Sequence, residues 1–310
     1  MTLNDRAWRI ADEMEETADS LRVSVSKIVG TRLIDCGIAT VGSLKAGVLL
    51  ARATLSDLAT VALEAGDSGP IVKVVTDDPV RACLASQYAG MQVKHEKFFA
   101  MGSGPMRAAA GREELFQHIP GKESPRCAVG ILETKRIPPD DAIAHIVSKL
   151  PESVEKLTLL VAPTTSLAGT VQIVSRSVET ALHKLHELKF DVRQVVSGFG
   201  TAPLPPIAKD EMTAIGRTND AILFGGRVTL WVSCGDDEID AIGPQMPSTA
   251  SPDYGEPFAD IFKRYNGDFY KIDAKLFSPA EITFVNLQSG RSRTFGKTDP
   301  ALLRKSFESI

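Results

Sequence analysis

CAVGILETKRIPPDDAIAHIVSKLPESVEKLTLLVAPTTSLAGTVQIVSRSVETALHKLHEL, residues 127–188, decides the fold class. CAVGILE is a short apolar run of the kind a strand covered on both faces carries. The paired prolines and aspartates of Pro138–Asp141 then mark a helix start, because proline suits the first helical turn and acidic groups favour it. KLTLLVAP repeats the apolar run, and a helical period extends from about Ser166 to Leu188. Strand, helix, strand, helix within one stretch predicts an α/β (α+β mixed) chain.

Outward from this stretch the same alternation recurs. Residues 7–18 suit an amphipathic helix, and Val23, Val25 and Ile28 suit a strand interrupted at Gly30, with an antiparallel partner beyond it. VGSLKAGVLLARATL reads as a small-residue helix, IVKVVTDDP as a strand ending in a turn and PVRACLASQYAG as a helix, followed by a Gly-rich loop, FFAMGSGPMRAAAG. On the C-terminal side, VRQVVSG is a strand running into the loop GFGTAPLPP. A helix follows, then the strand RVTLWVSC, the helix EPFADIFKRY and a hairpin around Ser289 and Gly290. The length of 310 residues favours two α/β domains, 1–150 and 151–310, with a boundary near Pro151 across which segments can exchange.

Composition narrows the function classes. A net charge of -4 with 24% charged residues gives no basic field for nucleic acid or an anionic membrane. Pro163, the threonines and serines beside it and Gln172 make the uncharged stretch Leu157–Ser175 a poor membrane span. The N-terminus MTLNDRAWRIADEMEE is charged early and acidic, unlike a secretory or mitochondrial leader, so a cytoplasmic location is expected. Cys36, Cys83, Cys127 and Cys234 are widely spaced, which predicts reduced thiols and neither disulfide nor structural metal.

Between Leu157 and Leu182 the only formal charges are Arg176 and Glu179, three residues apart in one predicted helix. Leu167, Val171, Val174, Val178, Leu182 and Leu185 share an apolar stripe, while Gln172, Arg176, Glu179 and His183 fall on another face. A surface ion pair would be worth only about 0–1 kcal/mol and do nothing else. The Thr, Ser, Gly and Val neighbours instead suit a pair facing a cleft or a subunit contact. Met101–Pro105 contains Gly102, Ser103 and Gly104, which permit a tight turn or close backbone approach to a ligand; it lacks the third glycine of a dinucleotide fingerprint, and no strand is read immediately before it. Arg217, Thr218, Asn219 and Asp220 form a dense donor and acceptor set, either a polar helix end or the edge of a heterocycle site. His183 and His186 lack a third ligand, Ser103 and Ser197 lack the GxSxG elbow, and no P-loop is present, so metal, serine-hydrolase and kinase readings are set aside.

Taken together, ASQYAG at 85–90, FFAMGSGP at 98–105, VAPTTSLAGTVQIVSRSVETALHK at 161–184, GRTNDA at 216–221 and FYKIDAKLFSPA at 269–280 resemble methenyltetrahydromethanopterin cyclohydrolase, in the family's order and over nearly the whole chain. Met91 stands where many members have Trp after ASQYAG. The resemblance implies a homotrimeric cytoplasmic enzyme of two α/β domains with the pterin pocket between them. It also implies no cofactor, since tetrahydromethanopterin or its dephospho form is the one-carbon carrier substrate. Arg176 and Glu179 match the arginine and glutamate of the family's SRSVE motif, which implies that Glu179 positions and activates water and that Arg176 orients Glu179. Gln87, Tyr88, Gly102, Ser103, Gly104, Arg217, Thr218, Asn219 and Asp220 are the expected pterin contacts, from their motif membership and hydrogen-bonding capacity. The competing expectations are a noncatalytic pterin carrier or sensor and, with less support, a one-carbon dehydrogenase.

Overall fold

The two apolar runs at residues 127–133 and 156–162 are buried over almost their whole length, because they are central parallel strands of a sheet with helices on both faces. The computed structural model describes residues 1–308. Its strands in chain order are β1 (Ser24–Ile28), β2 (Thr31–Asp35), β3 (Ala59–Gly66), β4 (Gly69–Thr76), β5 (Met91–His95), β6 (Phe98–Ser103), β7 (Cys127–Glu133), β8 (Lys156–Ala162), β9 (Val195–Pro203), β10 (Arg227–Val232), β11 (Glu281–Asn286) and β12 (Ser292–Gly296). The α-helices are α1 (Leu3–Glu16), α2 (Ala18–Leu21), α3 (Leu44–Thr54), α4 (Met106–Ala110), α5 (Asp140–Val147), α6 (Leu167–Val174), α7 (Ser177–Glu187), α8 (Glu211–Leu223), α9 (Asp236–Ile242), α10 (Phe258–Arg264) and α11 (Pro300–Glu308). Two six-stranded mixed sheets result, ordered β1-β2-β8-β7-β6-β5 and β12-β11-β10-β9-β4-β3, so the fold is mixed α/β. Chain contacts group Met1–Ala59 with Val80–Gln172 in one compact unit and Thr60–Pro79 with the chain from Ile173 onward in another. Pro151 lies inside the first unit.

In the first unit β2, β8 and β7 run parallel, with Ile34 and Ile131 both opposite Leu160. Ile10 and Met14 of α1 and Leu49 and Leu50 of α3 pack with these three residues in one core cluster. Ile143 and Ile146 of α5 pack with Leu132, Leu159 and Val161 in a second. Each such side chain removed from water contributes about 1.5–3 kcal/mol. Helix α1 starts at a Thr2–Asp5 capping box, and its first amides, on Leu3 and Asn4, donate to the Glu123 carboxylate at 2.8 and 2.9 Å.

Strands of the second sheet alternate instead, as expected for a sheet with one well-covered face. Val72, Val74, Val228, Leu230, Ile282 and Phe284 are buried, whereas Ile71, Val75, Phe199, Trp231 and Val285 on the opposite face are half-buried. Phe224, Phe258, Ile261, Phe262 and Leu276 form a separate core where α8 meets α10.

Four local expectations are corrected. FFAMGSGPMRAAAG is not a loop: β6 pairs with β5 and β7, α4 follows, and a strand does precede the GSG turn. Gly102 lies within that strand because a Cβ there would stand 2.8 Å from the Met91 carbonyl oxygen. GFGTAP likewise continues β9 to Pro203. The helix expected from about Ser166 to Leu188 breaks at Ser175–Arg176, and PVRACLASQYAG yields a π-helix, Val80–Gln87, continued by the Tyr88 amide donating to the Cys83 carbonyl at 2.8 Å.

Candidate functional site

Ser175 and Ser177 flank Arg176, and the helix breaks between them: α6 ends at Val174 and α7 begins at Ser177, with Arg176 as its N-cap residue. The break preserves the relation that the spacing suggests. Thr180 donates its amide to the Arg176 carbonyl at 2.8 Å, and Glu179 occupies the first turn of α7, where the helix dipole favours a carboxylate. Arg176 Nη1 stands 3.9 Å from Glu179 Oε2, and the two side chains are only 9% and 7% exposed. A pair this buried is not a solvated surface bridge. Desolvating two charges costs several kcal/mol per ion, a cost that an exposed surface bridge does not carry.

The predicted apolar stripe is buried except at its first member, Leu167, which is half-buried. Val171, Val174, Val178, Leu182 and Leu185 are fully buried, Gln172 is buried beside the pair in sequence, and His183 is half-buried with Nε2 3.9 Å from Glu187 Oε1. What sets the height of α7 above the sheet is β9. A Cβ on Gly198 would stand 2.8 Å from Val178 Cγ1, and one on Gly200 only 2.5 Å from Ser177 Oγ. Two glycines therefore let the first turn of α7, which carries Glu179, lie directly on the strand. The Ser177 hydroxyl is buried there with no hydrogen-bond partner.

A second group assembles in the first unit. Gln87 ends the π-helix and is fully buried, with Nε2 3.5 Å from Thr54 Oγ1; Tyr88 follows it. The Gly104 amide donates to the Ser86 carbonyl at 2.9 Å, so Gln87 and Tyr88 are brought beside Gly102, Ser103 and Gly104. Gly104 has φ +86°, and a Cβ there would stand 2.5 Å from Ile131 Cδ1, so both conformation and space require glycine. Ser103 is fully buried, and its hydroxyl has no hydrogen-bond partner.

Arg107 holds this group together and is the residue that sequence reasoning missed. Its buried guanidinium donates to the Leu84 and Ser86 carbonyls, both at 3.1 Å, and forks onto Glu113 at 2.8 and 2.5 Å. It also lies 5.0 Å from the Tyr88 ring centroid and 5.7 Å from that of Phe116. The available signal was a lone cation inside the small-residue run MRAAA with an acid six positions on.

Residues 217–220 lie on α8, and their polar groups are largely engaged by backbone. Arg217 Nη1 donates to the Pro206 carbonyl at 3.3 Å, Thr218 Oγ1 to that of Ala214 at 2.9 Å and Asn219 Nδ2 to that of Ile215 at 2.8 Å. The Asp220 carboxylate accepts the Phe258 amide at 2.9 Å, capping the start of α10. Burial pushes the Asp220 carboxyl up to about 7, against the lowering effect of its hydrogen bonds. Thr218 and Asp220 are fully enclosed, whereas Arg217 and Asn219 remain half-buried. None of the four cysteines forms a disulfide, and among the described residues no helix is long and apolar enough to cross a membrane.

Comparison with known proteins covers nearly the whole chain. The sequence model of the family described as Cyclohydrolase (MCH) matches residues 2–307. The methenyltetrahydromethanopterin cyclohydrolase of Methylobacillus flagellatus is 45% identical over 99% of this chain and 95% of that protein. That of Rhodopirellula baltica is 48% identical over 90% of this chain and 87% of its own. The protein of the same name from Methanococcoides burtonii is 36% identical over 99% and 98%. From its first helix to its last, the chain belongs to the cyclohydrolase (MCH) family of enzymes.

Proposed function

We propose that this chain reversibly hydrolyses 5,10-methenyltetrahydromethanopterin to 5-formyltetrahydromethanopterin in one-carbon metabolism, with Glu179 as the base that positions and activates water and Arg176 as the group that orients Glu179. The names of its relatives support the substrate, and the buried ion pair on α7 is the observation that carries the assignment of residues. A methenyl bridge between two nitrogens is a delocalised cation, electrophilic at carbon without further activation. The protein has only to position a water and manage its protons.

Water attacks the methenyl carbon, forming a C–O bond as Glu179 takes one proton. The carbon then carries a hydroxyl, and its bond to N10 breaks with the electron pair going to nitrogen, which receives the proton held by Glu179. Loss of the hydroxyl proton to solvent leaves the formyl group on N5, so cation plus water gives neutral product plus one proton. Arg176 holds the carboxylate in place between steps.

Gln87, Tyr88 and Gly102–Gly104 would supply one set of pterin contacts, and Arg217 and Asn219 a second, with Thr218 and Asp220 fixing α8 beneath them. Their support is the shared placement around the Gly104–Ser86 hydrogen bond and the half-buried side of α8. Assembly as a cytoplasmic homotrimer belongs to the same proposal. Cysteines outside any disulfide suit a reducing compartment, and the half-buried face bearing Ile71, Val75, Phe199, Trp231 and Val285 suits contact between copies. Light scattering should give three chain masses; one chain mass would refute the assembly.

The deciding experiment follows loss of methenyl absorbance with the wild-type protein, with Glu179→Gln and with buffer alone, checking the product as the formyl compound. Wild type should exceed buffer, and Glu179→Gln should lose about 10²–10⁴ in turnover with a smaller change in KM. Wild type that binds the pterin but is no faster than buffer would overturn the reading in favour of a carrier.

A further inference from the structure

His95, Glu96 and Asp141 each present a ligand atom within 4.8 Å of the others, the one such grouping of three or more among the described residues. They meet from two separate elements. His95 closes β5, Glu96 sits in the β5–β6 turn at φ +47°, and Asp141 lies in the first turn of α5. His95 Nε2 stands 3.4 Å from Asp141 Oδ2, while Asp141 Oδ1 accepts the Ala142 amide at 2.8 Å. His145, one helical turn after Asp141, stacks its ring on His95 with centroids 5.5 Å apart. None of these residues has a part in the proposed hydrolysis.

We infer that this cluster is a binding site for a divalent first-row transition-metal ion, with His95, Glu96 and Asp141 as ligands and His145 as a fourth donor reached by rotation of its side chain. Two imidazoles with carboxylates suit zinc, nickel or copper, whereas magnesium and calcium favour shells built from oxygen alone. No Cys/His spacing announces the site, because its ligands come in two sequence-adjacent groups that only the fold joins. His95 and Asp141 are 35% and 46% exposed, so an ion has a direct path in.

The site has a mechanical consequence. The β5–β6 hairpin has its turn at the cluster, and its far end pairs Met91 with Gly102, next to Ser103 and Gly104. A bound ion would pin the turn to α5 and so brace, from about 15 Å away along the strands, the group that contains Gln87 and Tyr88.

The test uses the full chain stripped of metal with chelator, titrated with zinc by calorimetry and with copper(II) by electron paramagnetic resonance. One ion per chain is expected, with nitrogen couplings from two imidazoles. His95→Ala and His145→Ala should each remove one nitrogen coupling. Each should also weaken zinc by at least the roughly tenfold seen when a supporting outer-shell group is lost. Zinc should raise the melting temperature of wild type and not of the His95→Ala/Asp141→Asn double variant, while the metal-free cyclohydrolase rate stays equal in all. Equal zinc affinity in wild type and the double variant would overturn the site. So would nitrogen couplings that survive His95→Ala unchanged, which would place the ion elsewhere, such as on His183 and His186. Magnesium competing as well as zinc would overturn the transition-metal assignment.

Discussion

The Ser177 hydroxyl occupies the space that any side chain at position 200 would need: a Cβ on Gly200 would stand 2.5 Å from Ser177 Oγ and 2.8 Å from Val178 Cγ2. Contact between β9 and the first turn of α7 therefore fixes where that turn sits, and Glu179 is carried in it. The Arg176–Glu179 pair is placed by an absence of side chain on the sheet as much as by its own contacts.

Gly200→Ala should accordingly lift the start of α7. We expect a loss of about 1–3 kcal/mol in urea unfolding, the usual cost of overpacking, together with reduced kcat. Ser177→Ala alone should be near neutral, since it deletes a buried hydroxyl that has no partner, and should recover part of the Gly200→Ala loss. Strict additivity of the two changes would disprove the contact as the cause.

Arg176→Lys retains the charge but not the planar fork. Removing about 1.4 kcal/mol of transition-state positioning corresponds to about tenfold in kcat, with KM changed less. Kinetics identical to wild type would remove Arg176 from an orienting role and leave it as a neutralising charge only.

How much of this is legible in the sequence depends on the range of the interaction. The strand–helix order of residues 127–188 is readable because burial on both faces writes continuous apolar runs into β7 and β8. The Arg176–Glu179 relation is readable because three-residue spacing survives the helix break at Ser175–Arg176. By contrast, β6 is concealed by Gly102, Ser103 and Gly104, whose composition signals a turn. Only the closeness of the Met91 carbonyl explains why a strand there needs glycine. The role of Arg107 is hidden for the same reason, since the carbonyls it holds converge only once the π-helix has formed.

Arg107→Lys tests that hidden role. Loss of the fork onto Glu113 and of the bonds to the Leu84 and Ser86 carbonyls should destabilise the protein by roughly 1–3 kcal/mol. Because the end of the π-helix and the Gly104 turn would both relax, KM for the pterin should rise more than kcat falls. A fall in kcat at constant KM would show that this group does not contact substrate in the ground state.

Asp220 makes stability depend on pH in a direction unusual for a carboxylate. Burial raises its folded value to about 7, whereas an unfolded aspartate titrates at about 3.9, so between those limits the folded chain holds a proton that the unfolded chain releases. The contribution is complete below about pH 4 and is lost as pH rises through 7, with a slope of at most about 1.4 kcal/mol per pH unit. Asp220→Asn keeps an oxygen to accept the Phe258 amide but cannot titrate. Urea unfolding of both proteins between about pH 4.5 and 8 should show wild type losing stability relative to the variant as pH increases. Ionised Asp220 at the start of α10 should therefore leave the variant the relatively more stable at the alkaline end. Parallel curves would mean that the carboxyl is ionised throughout, and that capping of α10 rather than proton uptake is its whole contribution.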